Sequence, residues 1–566
     1  MCFPKTVRRT SPAPAEAGKR RAPEVWGAAT VLVLALYGLF LVYPLVNLLA
    51  QAVVDKATGR LSLQYFIRFF AKPYYFNTLL NSFKVTSCVT VLTVALGTPL
   101  AYFFARYRIR GKAFLRILIV LSSMSAPFIG AYSWILLLGR NGVITSFLLQ
   151  TFGFRLPGIY GFAGILIVLS LQLYPLIFLY VSGALVNVDN SLLEASENLG
   201  CSGARRFLLI VVPLILPTLF AGGLMVFMRA LADFGTPMLI GEGYRTFPVT
   251  IFNEFISEMG GDDGFAAAIS LIAILITTLI FAAQRWLSTR KSFTINSMNR
   301  IRPVKAGGVA GFLIHLYAYA LVGLSILPQA YVVYTSFKKV NGTVFVSGYS
   351  LGSYMDAFGK MGRSISNTVI IPGLSLAAIV VLAALIAYVT VRRPSLFTGV
   401  LDSVSMVPYI IPGSVVGITL LIAFNKPPVI LSGTMLIMVI GLVLRRLPYT
   451  IRSSAAVLQR IPLAVEEAAL SLGSSRLNAF ARVTVPMMAA GIVSGAILSW
   501  VTMISELSTA ILLYVGKTKT MTVEIYTQII RGNYGIAAAL STMLTVLTVI
   551  SLVAFRRVAG EREIGF

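Results

Sequence analysis

Twelve stretches of mostly apolar residues recur along this chain, each about 20 residues long, the length that crosses a bilayer. They lie at roughly 27–50, 84–107, 115–139, 160–186, 208–231, 265–286, 309–336, 368–390, 399–424, 433–450, 485–504 and 535–555. A helix satisfies its own backbone groups where water is absent, so such stretches fold as helices in lipid. Hydrophobic residues make up 57 % of the 566 positions and charged residues 12 %. So few charges cannot clothe soluble domains of that total size. The expected fold class is an all-α membrane protein with about 12 transmembrane helices.

The formal net charge is +27. A nucleic-acid binder can carry such a balance, but here Lys and Arg form short clusters between apolar stretches and make no basic face on a soluble domain. Clusters precede the first stretch (Arg8, Arg9, Lys19, Arg20, Arg21) and follow the second (Arg106, Arg108, Arg110, Lys112). Others hold Arg205 and Arg206, then Arg285, Arg290, Lys291, Arg300, Arg302 and Lys305, then Arg392 and Arg393. Arg445, Arg446, Arg452, Arg460, Arg476 and Arg482 surround the loop before the eleventh stretch, and Arg556, Arg557 and Arg562 close the chain. With a cytoplasmic N-terminus and twelve spans, all of these fall inside, as positive-inside topology requires. Both termini are then cytoplasmic. Glu242, Glu254, Glu258, Asp262 and Asp263 fall outside, whereas 52–83, with Lys56, Arg60, Arg68 and Lys72, fits less well. The first stretch is too long for a signal-peptide core and lacks a small-x-small cleavage site, so it reads as a retained span.

A duplication organises the chain. Residues 194–214 (EASENLGCSGARRFLLIVVPL) and 467–487 (EAALSLGSSRLNAFARVTVPM) align at an offset of 273. Glu194, Ala195, Gly200, Phe207 and Pro213 match Glu467, Ala468, Gly473, Phe480 and Pro486, and Ser202 matches Ser475. At the same offset Asp233 falls opposite Glu506 and Thr236 opposite Thr509. Upstream, Asn81-Ser82 and Asn367-Thr368 each precede an Ala-Tyr pair, Ala101-Tyr102 and Ala387-Tyr388. Each unit has six spans, an even number, so the copies are parallel about an axis along the membrane normal. The expected divisions are a cytoplasmic tail 1–26, a first repeat 27–290, a linker 291–307 and a second repeat 308–566.

Each matched loop reads as one small device. Glu-Ala-Ser/Ala-x-x-Leu is a good helix, and the Gly after it supplies a left-handed cap. A second short helix runs through Phe207 or Phe480, and Pro213 or Pro486 sits where the next span begins and a missing N–H costs little. A helix-turn-helix lying on the cytoplasmic surface can pass force from a soluble partner to the spans.

Glu-Ala-Ala-x-x-x-Gly followed by an apolar segment resembles the signature loop of permeases in binding-protein-dependent ABC importers. The first copy departs from it with Ser196 for the second Ala and Cys201 after the Gly. The resemblance implies that these loops couple to two ABC ATPase subunits on the cytoplasmic face. It also implies an extracytoplasmic substrate-binding protein on the other face and a place in the bacterial inner membrane. The segments Ala-Asp-Phe-Gly-Thr-Pro and Ser-Glu-Leu-Ser-Thr-Ala, with the two copies fused, are most similar to the ferric-iron permeases. Relatives of that family carry thiamine, 2-aminoethylphosphonate, polyamines, sulfate or sugar phosphates, and those alternatives stay open. The sequence has no G-x-x-x-x-G-K-[ST] loop, and Gly516-Lys517-Thr518 reads as a turn. ATP is expected on the partner subunits and no cofactor on this chain, which is a transport subunit and not an enzyme.

Asp233 and Glu506 each follow the loop proline by twenty residues, which at about 1.5 Å per residue puts them about 30 Å away, near the outer span ends. They either line or gate the outer mouth of the pathway, or cap helix ends and pair with Lys or Arg. The capping alternative weighs somewhat more. Cys2, Cys88 and Cys201 match no metal spacing, and the lone His315 reads as a helix-end residue with a local partner. A secondary transporter with two parallel halves is the competing class, and it needs ionisable groups deep in the spans.

Overall fold

The computed structural model describes residues 25–54, 59–124, 126–154, 157–201, 203–256, 262–290, 299 and 301–559. The N-terminal tail with its basic cluster and Cys2, Lys56, Ser202, Glu258, most of the 291–307 linker and Arg562 lie outside the described residues.

The two halves repeat one order of helices, to which the first adds two short ones, Gln64–Ala71 and Val143–Phe152. The first holds α1 (Val25–Val53), α2 (Pro73–Arg106), α3 (Lys112–Met124), α4 (Pro127–Leu138), α5 (Phe162–Leu185), α6 (Asn190–Asn198), α7 (Val212–Leu231), α8 (Gly235–Ile240), α9 (Phe247–Ile256) and α10 (Asp263–Arg290). The second holds α11 (Gly308–Ser336), α12 (Gly352–Arg392), α13 (Leu396–Ile410), α14 (Gly413–Phe424), α15 (Met435–Leu458), α16 (Ala464–Ser471), α17 (Ala489–Ile504), α18 (Ala510–Leu513), α19 (Met521–Ile530) and α20 (Tyr534–Ala559). A short antiparallel hairpin, β1 (Lys338–Asn341) with β2 (Val344–Tyr349), joins α11 to α12.

Within each half the same helices form the core: α2 packs on α5 and α7, and α12 on α15 and α17. Small residues set the approach distance. Gly222 and Gly495, 273 positions apart, face α5 and α15; a Cβ on Gly495 would lie 2.5 Å from Thr450 Cα. Outward faces carry exposed Leu32, Leu279 and Ile550, the apolar surface that lipid solvates.

The first helix of each half leans on the other half. Trp26, at the start of α1, packs on Tyr388 and Phe480 with ring centres 4.5 and 5.2 Å away, and Phe40 and Tyr43 pack on Phe424 of α14. Reciprocally, α11 packs on α3 and α4, Tyr317 Oη donates to the Leu96 carbonyl at 2.7 Å, and the Tyr174 and Ser325 hydroxyls bond at 3.0 Å. The repeat in sequence is therefore not the unit in space.

Among the described residues nine helices are long and apolar enough to cross a membrane, or up to eleven if each bent pair is one span. Four of the expected spans differ from simple crossings, one of them the stretch at 485–504, which bends by 68° between Met487 and Ala489. The stretch at 115–139 breaks between α3 and α4, and the apolar span there runs Phe128–Phe152. The stretch at 399–424 turns by 111° between α13 and α14, because Pro412 holds Ile411 in an extended conformation. Most consequential is α15, which continues to Leu458 and so carries Arg445, Arg446 and Arg452 along its length. Arg445 and Arg446 thus sit mid-helix, not in the basic loop where charge counting put them.

Candidate functional site

The two matched loops have one backbone design. In the first, the Asp189 side chain caps α6 by accepting from Ser191 N–H at 2.9 Å. Gly200 then takes φ +77°, and Cys201 N–H donates to the Ser196 carbonyl at 2.8 Å. In the second, Gly473 takes φ +87° and Ser474 N–H donates to the Ala469 carbonyl at 3.1 Å. Both are helix ends closed by a left-handed residue, a conformation that favours glycine. One short helical turn follows, Gly203–Arg206 or Arg476–Ala479. The turn then widens into a π segment, Phe207–Val211 or Phe480–Thr484, just before Pro213 and Pro486. Proline has no N–H to donate, and the widened turn adapts the backbone at that point.

The exposed face of each loop is also the same. Glu194, Ala195 and Gly200 are exposed, as are Glu467, Ala468 and Gly473. At the tips Leu199 is 87 % exposed and Leu472 90 %, a polar helix ending in one uncovered apolar knob. Inward, Phe207 packs on Tyr102 at 4.9 Å and Phe480 on Tyr388 at 4.8 Å. The repeated Ala-Tyr pairs thus find their purpose as the seat beneath the loop.

The charged anchors differ between halves. Glu466 is buried, accepts from Tyr388 Oη, and lies 3.7 Å from Arg393 and 4.0 Å from Arg392. Leu193 occupies the matching place in the first loop. There the acid is Glu197, one turn on, paired with Arg206 at 2.7 Å and Arg106 at 3.5 Å. Both loops face one end of the bundle. The start of α1 rests on the second loop through Trp26, and residues beyond the end of α10 rest on the first, where Asn190 N–H donates to the Asn299 carbonyl at 2.9 Å. The later part of α1, Tyr43–Val53, packs on α10.

Asp233 and Glu506 occupy matching junctions, after α7 and after α17. Asp233 accepts from Thr236 N–H at 3.0 Å and Glu506 from Thr509 N–H at 3.2 Å, so both cap the turn into α8 or α18. Glu506 is also buried between Arg445 and Arg446. The chain bends by 68° before α17, and α17 has 16 residues, about 24 Å. Glu506 meets α15 at mid-length. Across the boundary between halves, a Cβ on Gly235 would sit 3.6 Å from Leu507. The loops beyond are clamped alike. Asn81 Nδ2 donates to the Arg245 carbonyl at 3.1 Å and Ser82 Oγ accepts from Phe247 N–H at 2.7 Å. Asn367 Nδ2 donates to the Lys517 and Lys519 carbonyls at 3.0 Å, and Thr368 Oγ1 accepts from Met521 N–H at 2.7 Å.

Gly516-Lys517-Thr518 is a turn, with Thr518 N–H bonded to the Val515 carbonyl at 2.9 Å. His315, near the start of α11, bonds through Nδ1 to the Gly311 carbonyl at 2.7 Å, the local partner its sequence context suggested.

The model of the binding-protein-dependent transport system inner membrane component family matches residues 97–293 and 379–560, one segment in each half. Among similar proteins, the ferric transport system permease protein FbpB of Actinobacillus pleuropneumoniae is 26 % identical over 548 residues, covering 95 % of this chain and 79 % of its own length. The Fe(3+)-transport system permease protein FbpB 2 of Haemophilus influenzae is 24 % identical over 547 residues, 95 % of this chain and 99 % of its own. The inner membrane ABC transporter permease protein YdcU of Escherichia coli is 32 % identical over 234 residues, 38 % of this chain and 73 % of its own. Matched once in each of two halves that share loop, seat and cap, the chain belongs to the binding-protein-dependent transport system inner membrane component family, as a permease with both copies fused.

Proposed function

We propose that this permease carries ferric iron inward, driven by two ATPase subunits that dock on the matched loops and fed by a substrate-binding protein at the opposite face. Two loops of one design, each with an exposed leucine at its tip, carry the docking part of this reading. A pair of identical motor subunits needs two equivalent grips, and Glu194, Ala195, Gly200, Glu467, Ala468 and Gly473 form them. Phe207, Phe480, Pro213 and Pro486 tie each grip to the start of α7 or the segment leading into α17. ATP hydrolysis belongs to the partners. The basic loop end of the bundle is the cytoplasmic one, with both chain termini on that side. The choice of iron rests on similarity along both halves to ferric permeases.

The test is uptake of radiolabelled iron in a strain stripped of its own ferric uptake, expressing this chain with the ATPase and binding protein encoded beside it. Iron should accumulate, and accumulation should stop when the ATPase carries a substitution of its phosphate-loop lysine. Accumulation that ignores that substitution but collapses with the proton gradient would assign the chain to secondary transport. Uptake of a different solute under the same ATPase control would leave the permease reading intact and remove iron.

A further inference from the structure

α7 is an apolar helix with one charged residue, Arg229, in its last turn. Arg229 is exposed, and among the described residues no carboxylate pairs with it. Its electrostatic neighbours are phenols: Tyr180 from its own half, and Tyr409 and Tyr449 from the other. Tyr409 and Tyr449 have ring centres 5.4 Å apart. Tyr409 Oη donates at 3.3 Å to the sulfur of Met225, one turn before Arg229, and the Arg446 guanidinium lies 5.9 Å from the Tyr449 ring centre. The group straddles the boundary between the halves.

The surrounding charges do not cancel. Glu506 is taken by Arg445 and Arg446, Asp402 by Arg452 at 3.2 Å, and Asp233 by its cap at Thr236. Arg229, in the last turn of an apolar helix, keeps its charge unanswered, and ionisable residues within spans mark ligand or ion pathways. Nor does the fold require it. At the offset of 273, Thr502 stands for Arg229, Leu173 for Arg446 and Leu176 for Tyr449. The duplicated frame assembles without these groups in its other copy, so they are additions to one asymmetric site.

The Arg229 guanidinium with the Tyr180 and Tyr449 hydroxyls beside it offers N–H and O–H donors, a set that fits an oxyanion and repels a bare metal cation. We infer that the Arg229 cluster recognises an oxyanion-bearing cargo on the path between the halves. Ferric iron then crosses as an anionic complex with carboxylate or phosphate ligands, not as a naked trivalent ion. The inference rests on the chain being an importer permease, whose cargo class it assigns.

Equilibrium dialysis of the purified full-length chain in neutral detergent tests it. The probes are radiolabelled ferric citrate, inorganic phosphate and, as an inert trivalent cation, hexaamminecobalt. Saturable binding of at least one anion is expected, weakened about tenfold or more in Arg229→Gln, largely kept in Arg229→Lys, and absent for hexaamminecobalt. Equal anion affinity in Arg229→Gln overturns the assignment, and so does binding of the cobalt complex alone. Anions that fail to bind while phosphatidylglycerol does make this a lipid headgroup contact, which also overturns it. Phosphate binding without ferric citrate binding sustains the oxyanion site and removes iron. Iron uptake intact in cells with no anion binding removes the site and leaves iron.

Discussion

The Tyr388 ring lies 4.8 Å from that of Phe480, and the same side chain donates its hydroxyl to Glu466. One residue at the end of α12 thus holds both arms of the second loop, the helix α16 and the segment leading into α17. Tyr102 does half of this in the first copy: it packs on Phe207 at 4.9 Å, but Leu193 offers it no acceptor. The second loop therefore rests on a buried acid beneath its tyrosine that the first loop lacks.

That asymmetry gives the first prediction. Glu466→Gln leaves Arg392 and Arg393 short of a buried counter-charge, a loss on the order of 3–5 kcal/mol. Tyr388→Phe keeps the ring stack and loses one hydrogen bond, about 1–3 kcal/mol. Thermal unfolding of the detergent-solubilised chain should rank wild type above Tyr388→Phe and both above Glu466→Gln. The reverse order would mean that Glu466 does not anchor the loop.

The second prediction concerns the knobs. Leu199→Asp and Leu472→Asp alter side chains that are 87 % and 90 % exposed, so the free chain should unfold within about 0.5 kcal/mol of wild type. Co-purification of the ATPase subunits should fall with either change and vanish with both. Undiminished capture by the double variant would place the docking surface elsewhere.

The Glu, Gly and Pro frame of these loops is legible in the sequence because duplication prints it twice, and a left-handed glycine and a first-turn proline each have a known backbone use. The seat is half legible: Tyr102 and Tyr388 stand out as a repeated pair, but only contact with Phe207 and Phe480 says why. Arg445 and Arg446 are misplaced by charge counting. A basic dipeptide beside a basic loop looks cytoplasmic, and its true partner, Glu506, lies 60 residues further on. The exchange of α1 and α11 between halves leaves no local trace, since an apolar span reads the same whichever neighbour it meets. The bends at Pro412 and before α17 are hidden for a related reason: hydropathy records length and not direction.

A third prediction follows from the close approach of α17 to α15. A Cβ on Gly495 would fall 2.5 Å from backbone Cα of Thr450, a partner that cannot rotate away. At Gly222 the nearest atom is the Ile177 Cδ1 at 3.2 Å, the mobile end of a side chain. Gly495→Ala should therefore cost about 1–3 kcal/mol by overpacking, and Gly222→Ala clearly less. Paired melting curves of the two variants check this, and equal losses would show that α15 shifts to accommodate the methyl group.

The fourth separates the two capping carboxylates. Asp233→Asn retains an oxygen that can accept from Thr236 N–H, so the turn into α8 stays capped and the change should cost no more than about 1 kcal/mol. Glu506→Gln keeps the corresponding acceptor for Thr509 but strips the counter-charge from Arg445 and Arg446, both largely buried beside it. Breaking such a pair from one side costs on the order of 3–5 kcal/mol, because uncompensated charge remains in a poorly solvated place. Glu506→Gln combined with Arg446→Met should recover part of that loss, since one of the two stranded charges is removed with its partner. Unfolding of the three variants and the wild type, measured side by side, closes the cycle. A double variant no more stable than Glu506→Gln alone would show that Arg445 by itself holds the junction and that Arg446 serves the boundary between the halves.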